Sequence, residues 1–258
     1  VLPLLVPSTM IRLAVIVQVR LASTRFPQKV LRGIEGRQML DHVLERAADV
    51  IGAVEHILAV PDEERAFWKE WYESQSAFSR AGWWRVISGP MDDVLARFAS
   101  AARQVKADVI LRVTGDCPLF APEQADRVVE LQRRTGAEYA SNIFPRSVPD
   151  GMDAEAFTME GLERADREAT GRLDREHVTP YLMRTAKPWA CAPRPSRTFS
   201  GRDLKISVDM PEDLARVRRI AAHLERHRGM LNDMGRDFYS LTATLWAAQQ
   251  AGELNAEE

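Results

Sequence analysis

Short apolar, β-branched runs alternate with longer helical patterns along most of this 258-residue chain. That alternation is typical of successive βαβ units and predicts an α/β protein with a mostly parallel sheet. Several runs are apolar throughout, as strands buried on both faces tend to be. The predicted strands are Leu13–Val19, His56–Val60, Arg85–Ile87, Val109–Val113, Glu138–Ser141, Glu155–Thr158 and Lys205–Val208.

Apolar residues three and four positions apart predict helices between these strands. Because no linker rich in Pro, Gly or Ser divides the chain, we expect one domain over residues 10–258, preceded by an N-terminal extension of residues 1–9. The predicted helices are Met39–Asp49, Asp62–Glu73, Met91–Gln104, Pro122–Arg134, Met159–Ala169, Pro211–His227 and Phe238–Ala251.

A cluster of positive charge follows the first predicted strand. The stretch from Ile11 to Ile34 contains five basic residues and no acidic one, although the whole chain has a net charge of −2. Ser23 and Thr24 lie inside it. Cations, hydroxyls and backbone N–H groups together suit a bound anion, so this cationic loop (residues 20–29) predicts a phosphate site.

Composition excludes several other classes of protein. A chain with slightly more acidic than basic residues is not a general nucleic-acid binder. Cys117 and Cys191 form neither a zinc motif nor a disulfide framework, which favours a reducing compartment. The apolar run Val1–Val6 is too short to span a membrane and lacks the features of a secretory signal. We therefore expect a cytoplasmic protein whose partner is a small anion, with neither nucleic acid nor membrane as partner.

Two acidic motifs also follow predicted strands, at Thr114–Leu119 and at Asp209–Asp213. Ligands of parallel sheets bind at the carboxyl ends of the strands, so we expect these motifs and the cationic loop to converge on one crevice. Asp116 and Asp209 could there hold a Mg²⁺ that bridges phosphates, which indicates a nucleoside triphosphate. Each aspartate also fits a plainer role, as a turn residue or a helix cap.

Seven blocks, in order along the chain from Met10, resemble the sugar-activating cytidylyltransferases. The first block, Gln18 to Leu31, is similar to the signature of the keto-deoxy-octulosonate and acylneuraminate cytidylyltransferases. The nearest branch looks like the cytidylyltransferase-like family of spore coat polysaccharide biosynthesis. The other blocks are residues 88–98, 112–119, 139–142, 150–155, 176–179 and 208–214.

The resemblance implies a Rossmann-like, three-layer α/β/α nucleotidyltransferase fold of the glycosyltransferase-A type, with a mostly parallel mixed sheet. It implies an enzyme that uses CTP and Mg²⁺ to make a CMP-activated sugar acid, or a related small product, and pyrophosphate. Such a reaction belongs to surface polysaccharide or glycan biosynthesis, and the family usually works as a homodimer.

The resemblance also assigns roles by motif. Arg20 and Lys29 would contact the triphosphate, and Asp116 and Asp209 would hold the metal; these four form the catalytic set. The nucleotide-binding set would be Gln18, Arg20, Ser23, Thr24, Arg25, Lys29, Gly89, Asp92 and Asp93. Of these, Gly89 and either Asp92 or Asp93 would lie near the nucleoside. The set that would shape the acceptor pocket is Glu155, Glu176 and His177.

Several alternatives stay open. Gln28 stands where these families commonly have Gly, the residue most tolerant of positive φ, so the loop geometry is expected to differ. A non-catalytic nucleotide-binding relative is one rival. A glycosyltransferase of the same fold is another, although no Asp-x-Asp follows Val109–Val113. Glu155 could pair with a core arginine, His177 could cap a helix, and Asp92 and Asp93 could be acids that favour a helix start.

Overall fold

The computed structural model describes residues 11–74, 84–192, 204–233 and 239–254, and its centre is a seven-stranded sheet. The strand order in this sheet is β5-β4-β1-β6-β8-β7-β9. A separate hairpin joins β2 and β3. The strands are β1 (Leu13–Gln18), β2 (Gly33–Ile34), β3 (Arg37–Gln38), β4 (Ala53–Pro61), β5 (Trp84–Gly89), β6 (Val109–Thr114), β7 (Tyr139–Ser141), β8 (Glu155–Thr158) and β9 (Trp189–Cys191).

The pairing of these strands confirms the predicted mostly parallel, mixed sheet. Strand β1 lies between β4 and β6 and is parallel to both, and β5 is parallel to β4. Strand β8 runs antiparallel to its neighbours β6 and β7, and β9 is parallel to β7. The carboxyl ends of β5, β4, β1 and β6 therefore meet at one edge of the sheet.

Helices cover both faces of the sheet. Val15 and Val17 of β1 pack into one core, whereas Ala14 and Ile16 pack into a second core on the opposite face. This alternation follows from the two-residue period of a strand and produces three layers. The helices are α1 (Met39–Ala48), α2 (Arg65–Ser74), α3 (Val94–Gln104), α4 (Pro122–Thr135), α5 (Met159–Glu168), α6 (Arg172–His177), α7 (Pro180–Thr185), α8 (Pro211–Arg226), α9 (Arg228–Asp233) and α10 (Leu241–Gln250).

The predicted strand Lys205–Val208 is wrong. The segment forms no ladder with the described strands of the sheet: its one β-type pairing is an isolated bridge between Asp150 and Lys205. Ile206 and Val208 are fully buried against α8 and α10 in a third apolar cluster. Their apolar pattern reflects packing of an extended segment under helices rather than a ladder in the sheet.

The predicted helix boundaries differ from the observed ones at several ends. Helix α3 begins at Val94 rather than Met91, because the Asp93 side chain accepts a hydrogen bond from the Ala96 amide and caps the helix. Helix α10 begins at Leu241, capped by Ser240, and Phe238 lies outside the described residues. The extension of residues 1–9 also lies outside them.

Short elements were missed from the sequence. Helices α6 and α7 have six residues each and β9 has three, too few to display a reliable apolar period. Among the described residues, no helix combines the length and apolar character needed to cross a bilayer.

Candidate active site

Lys29 joins the two distant acidic motifs at the carboxyl edge of the sheet. Its Nζ lies 2.7 Å from Oδ2 of Asp116, 3.2 Å from Oδ1 of Asp209 and 2.7 Å from the carbonyl oxygen of Val208. Asp116 follows β6 in a turn, and Lys29 begins a short 3₁₀ helix at the end of the cationic loop. Three segments far apart in sequence thus meet at one ammonium group.

Burial and charge compete at this cluster, and charge decides the outcome. Burial lowers the pKa of Lys29, but the carboxylates of Asp116 and Asp209 outweigh burial and hold that pKa above its ordinary value. Burial raises the pKa of Asp209, but Lys29 and Lys205 outweigh it and hold that pKa below its ordinary value. Lys29 and Asp209 therefore stay fully ionised at neutral pH.

Asp209 reaches this position without following a strand of the sheet. The Val208 amide donates to the carbonyl oxygen of Asp116 at 2.9 Å, which ties the segment 204–209 to the end of β6. Lys205 bridges Asp209 and Asp213 at 3.2 Å and 2.8 Å, and the Asp213 carboxylate also accepts from the amides of Asp209 and Met210. Exposed Arg25 adds a further contact to Asp209 at 3.2 Å.

A carboxylate just after β4 fixes the start of the cationic loop. Glu64 accepts hydrogen bonds from the amides of Leu21 and Ala22 and from the indole of Trp68. Two of the loop amides that an anion could have used are thus already paired within the protein. An anionic ligand would therefore depend on the cations of this loop, each of which pairs with a carboxylate in this structure.

Gln28 adopts the backbone conformation that glycine would favour. Its φ is 53° and its ψ is 30°, in the left-handed region, and its amide donates to the carbonyl oxygen of Leu21 at 3.1 Å. The carbonyl of Gln28 in turn accepts from the Leu31 amide. The loop therefore keeps a left-handed residue at this position although it carries a side chain, at a modest cost in backbone strain.

Helix α6 contacts both the cationic loop and the start of α3. Glu176 faces Arg20 at 3.9 Å, and the neighbouring Arg175 pairs with Asp93 at 2.6 Å. His177 is exposed. Val178 follows in a left-handed conformation with φ of 71°, inside a turn in which the Thr179 amide donates to the carbonyl oxygen of His177. A β-branched residue in such a turn is strained, and strain of this kind is frequent at functional sites.

The remaining residues expected near the nucleoside have mixed surroundings. Gly89 is buried at the end of β5, and a Cβ there would come within 3.0 Å of the backbone of Arg97. Asp93 caps α3 and is held by Arg175, so its carboxylate already has two structural duties. Asp92 is exposed next to it. Nucleoside contact by these residues stays a prediction.

Glu155 lies in a buried network with an arginine, which matches its structural alternative. Its carboxylate pairs with Arg112 at 2.5 Å and accepts from the Tyr139 hydroxyl at 2.7 Å, and only 2 % of the residue is exposed. Arg112 donates onward to the side chain of Gln18 at 3.2 Å. Gln18, at the end of β1, therefore contacts this network.

The two hydroxyl residues of the cationic loop lie elsewhere. The Ser23 hydroxyl accepts a hydrogen bond from the Phe26 amide, and Thr24 is exposed.

Comparison with known proteins decides the family. A family model described as "Cytidylyltransferase" matches residues 14–227. The chain belongs to the cytidylyltransferase family. It is 31 % identical to a 3-deoxy-manno-octulosonate cytidylyltransferase of Anaeromyxobacter dehalogenans, over 81 % of this chain and 97 % of that protein. It is 27 % identical to the spore coat polysaccharide biosynthesis protein SpsF of Bacillus subtilis, over 79 % and 83 %.

Solved structures agree with the fold of this cytidylyltransferase. A cytidylyltransferase from Leptospira borgpetersenii superposes with a TM-score of 0.77 at 21 % identity, covering 96 % of this chain and 98 % of that one. A CMP:2-keto-3-deoxy-manno-octonic acid synthetase complexed with CTP superposes with a TM-score of 0.62 at 17 % identity, covering 82 % and 98 %. The nucleotidyltransferase-like α/β fold expected from the sequence is thus confirmed, and the protein is a nucleotidyltransferase.

The donor set around Lys29 fits a hard divalent cation. Carboxylate oxygens of Asp116 and Asp209 and the carbonyl of Val208 converge on Nζ of Lys29. Mg²⁺ takes such oxygens together with phosphate oxygens and water, and would need Lys29 to move aside. Within the described parts of the chain, no group of three or more His, Cys, Asp or Glu side chains could hold a metal. Two carboxylates alone match a cation that is shared with a phosphate ligand.

Sequence reasoning missed Arg97, Glu64, Arg175 and Lys205. For Arg97 a signal existed, because it lies three residues after Val94 and four before Ala101, on the apolar face of its helix. A cation on such a face is unusual and points to a special role. The other three are ordinary surface charges in the sequence, and only the tertiary contacts show what they hold.

Proposed function

We propose that this cytidylyltransferase transfers CMP from CTP to a small acceptor of the sugar-acid type and releases pyrophosphate, in surface polysaccharide or glycan biosynthesis. The observation that carries the proposal is the meeting of Lys29, Asp116 and Asp209, which supplies two carboxylates and a cation at the edge where parallel sheets bind ligands. Membership of the family supports CTP as the nucleotide.

In the proposed reaction an acceptor oxygen attacks the α-phosphorus of CTP and displaces pyrophosphate. The new bond joins that oxygen to phosphorus, the bond from the α-phosphorus to the bridging oxygen breaks, and the acceptor proton leaves to solvent. Lys29, Arg20 and Arg25 bind the triphosphate and neutralise charge on the departing pyrophosphate. No covalent intermediate with the protein is needed.

Asp116 and Asp209 would hold Mg²⁺, which, when bound, supplies positive charge against the phosphate oxygens. Lys29 pairs with both carboxylates, and Arg25 and Lys205 add positive charge beside Asp209. Lys29 would then turn from the two aspartates to the phosphates as the nucleotide binds. Arg20, whose side chain is 45 % exposed and lies 3.9 Å from Glu176, can follow at little cost.

The acceptor side of the proposal rests on α6. Glu176 lies 3.9 Å from Arg20, and the exposed His177 follows it directly before the strained turn at Val178. We place the acceptor there. The buried Glu155 is held in its pair with Arg112, which favours a supporting role. We further propose that the enzyme works as a homodimer, which sedimentation velocity would test.

One assay tests the proposed reaction. Pyrophosphate release is measured with each of the four ribonucleoside triphosphates and Mg²⁺, across a panel of sugar acids and phosphonates. We expect release with CTP and at least one sugar acid, and loss of activity when the divalent cation is chelated. Silence in every combination would contradict the proposal and favour a non-catalytic relative.

Asp116→Asn is the matched variant. It keeps the size of the side chain but removes one carboxylate from the site, so we expect a folded protein whose turnover is lower by at least ~100-fold. Asp126→Asn is the control, since Asp126 lies on α4 and accepts from the Ile51 amide at another part of the surface. Wild-type turnover in Asp116→Asn would remove Asp116 from the catalytic set.

A further inference from the structure

The segment 204–209, which ends in Asp209, is not held by a ladder of the described sheet. It packs instead against a turn at residues 149–152, in which the Met152 amide donates to the carbonyl oxygen of Pro149 at 3.0 Å. What fixes this turn therefore bears on where Asp209 lies.

Three backbone hydrogen bonds join the turn to the segment. The carbonyl oxygen of Asp150 accepts from the Ile206 amide at 2.7 Å and from the Ser207 amide at 3.0 Å. The Asp150 amide donates to the carbonyl oxygen of Leu204 at 3.3 Å. Because the two pieces of chain meet through backbone groups, the distance between them is fixed closely.

Gly151 lies at this contact and has no room for a side chain. Its φ is 113°, a conformation that residues with a Cβ rarely adopt. A Cβ there would lie 2.5 Å from the backbone nitrogen of Ser207 and 2.7 Å from the carbonyl carbon of Ile206. Backbone atoms cannot rotate away as the end of a side chain can, so a side chain at residue 151 would push the turn and the segment apart.

The turn is anchored to the sheet on its other side by Asn142, which directly follows β7. Only 1 % of Asn142 is exposed; its Nδ2 donates to the carbonyl oxygen of Met152 at 3.0 Å, and its Oδ1 accepts from the Ala154 amide at 2.9 Å. Met152 and Ala154 are fully buried. Since the turn is held in this way, added volume at Gly151 would displace the segment 204–209 rather than the turn.

Such a displacement acts on Asp209 in particular. Ser207 precedes Asp209 by two residues, and Val208 between them donates to the carbonyl oxygen of Asp116 at 2.9 Å. The Val208 carbonyl and the Asp209 carboxylate both contact Nζ of Lys29. A shift of the backbone at residues 206–207 therefore changes how the Asp209 carboxylate faces that of Asp116.

We propose that Gly151 is a positioning residue for Asp209. Because it lacks a side chain, the turn holds the segment 204–209 at the distance at which Asp209 and Asp116 share one divalent cation. The inference rests on the proposed function, in which these two carboxylates bind the cation of the nucleotide. It gives two of the ordered sequence blocks, residues 139–142 and 150–155, a common role as the support of Asp209.

The test compares Gly151→Ala with Gly136→Ala. Gly136, at the end of α4, also has a positive φ, of 62°, but a Cβ there would meet nothing within 4 Å. Enhancement of water-proton relaxation by Mn²⁺ measures the affinity of each protein for the Mn²⁺–CTP complex, and calorimetry in EDTA measures the affinity for CTP without metal. In Gly151→Ala we expect the affinity for Mn²⁺–CTP to fall about 10- to 100-fold, while the affinity for metal-free CTP does not fall. Gly136→Ala should match the wild type in both.

A double-mutant cycle shows whether the effect passes through Asp209. Asp209→Asn is expected to weaken binding of Mn²⁺–CTP by about 100-fold in the wild-type background but by about 10-fold or less beside Gly151→Ala, where the carboxylate is already displaced. Equal losses in the two backgrounds would overturn the inference. A parallel fall in the affinity of Gly151→Ala for metal-free CTP would overturn it too, since that result indicates general disruption of the crevice.

Hydrogen exchange in the wild-type protein provides the test if Gly151→Ala does not fold. The amides of Ile206 and Ser207, which donate to Asp150, should exchange as slowly as the amides of β6. Exchange as fast as that of an open loop would overturn the inference, because a segment that opens readily does not hold Asp209 in place.

Failure of this inference and failure of the proposed function are distinguishable. If the wild type releases pyrophosphate from CTP and Gly151→Ala keeps wild-type affinity for Mn²⁺–CTP, the role of Gly151 is wrong and the reaction stands. If the wild type binds Mn²⁺–CTP but releases no pyrophosphate with any acceptor, the proposed reaction is wrong, and weaker binding of Mn²⁺–CTP by Gly151→Ala would still support the role of Gly151.

Discussion

Lys29 and Arg97 are both largely buried cations at the carboxyl edge of the sheet, but their surroundings differ. Lys29 has three oxygen partners, from Asp116, Asp209 and Val208. Arg97 has no hydrogen-bond partner for Nε or Nη1 among the described residues. The first cation holds the protein's own segments together, while the second adds the cost of burying a charge that is incompletely compensated.

This difference shows which of the two buried cations the described chain itself satisfies. At Lys29 the protein satisfies its own charges, and a nucleotide with its metal must exchange partners there. At Arg97 the described chain leaves two buried nitrogens, Nε and Nη1, without an acceptor. Functional sites commonly carry such unsatisfied groups at the expense of stability.

The largest expected effect on stability comes from a buried charge that has partners. Replacing Glu155 by Leu leaves Arg112 buried beside Tyr139 without its carboxylate, and we expect a loss of about 3 kcal/mol of unfolding free energy. Tyr139→Phe, which removes one hydrogen bond from the same carboxylate, is expected to cost about 1.5 kcal/mol. Urea unfolding measures both.

Glu155 also tests the acceptor assignment. If Glu155→Leu remains as stable as the wild type but loses affinity for the acceptor, the supporting role is wrong and the residue belongs to the acceptor pocket. A parallel fall in stability and turnover without a selective change in acceptor KM agrees with a supporting role for Glu155.

Lys29→Met is expected to have the next largest effect. It removes the cation between two half-buried carboxylates, and since these keep some contact with water we expect a loss of about 2 kcal/mol at pH 7. The contrast with Arg97→Met, expected to be neutral or stabilising, is the sharpest form of the comparison. Equal destabilisation by the two variants in urea unfolding would break it.

The pH dependence of the Lys29 contribution follows from two pKa shifts of opposite sense. The pKa of Lys29 is raised above 10.5, so its contribution is complete below that pH and is lost only as pH rises through the higher value of the folded protein. The pKa of Asp209 is lowered below 3.8, so its contribution is complete above that pH and is lost as pH falls through the lower folded value. The stability difference between wild type and Lys29→Met should therefore be flat from roughly pH 5 to 9. A steep change near neutrality, in unfolding free energies measured across this range, would contradict the pairing.

The smallest expected effect is that of Gln28→Gly. Glycine relieves the strain of the left-handed backbone by about 1 kcal/mol. It also raises the conformational entropy of the unfolded chain, which costs about as much, so the net change in unfolding free energy should be within about 0.5 kcal/mol. Because the loop already has the glycine-like conformation, turnover should stay close to that of the wild type. Gln28→Val, whose β-branched side chain disfavours this conformation, should lower both stability and turnover. If stability and turnover of Gln28→Val equal those of the wild type, the loop does not require the left-handed conformation at residue 28.

Much of the fold could be predicted because buried strands and amphipathic helices have characteristic periods in the sequence. The apolar runs at β1, β4 and β6 and the helical spacing of α1, α3 and α4 predicted these elements to within a few residues. Lys205–Val208 was predicted wrongly, because an apolar segment packed under a helix has the same composition as a buried strand. Gln28 was misleading in another way, since its side chain did not prevent the left-handed conformation.

By itself the sequence determined the alternation of strands and helices, the concentration of cations after β1 and the ordered motifs of a cytidylyltransferase. These are local properties, set by the chemistry of residues close together in the chain. Tertiary structure alone decided that Lys29 lies between Asp116 and Asp209, that Glu64 takes the amides of Leu21 and Ala22, and that Arg97 is buried with two nitrogens unsatisfied by the described chain. The reason is that hydrogen bonding and burial depend on which distant segments pack together, and residue spacing along the chain does not record that.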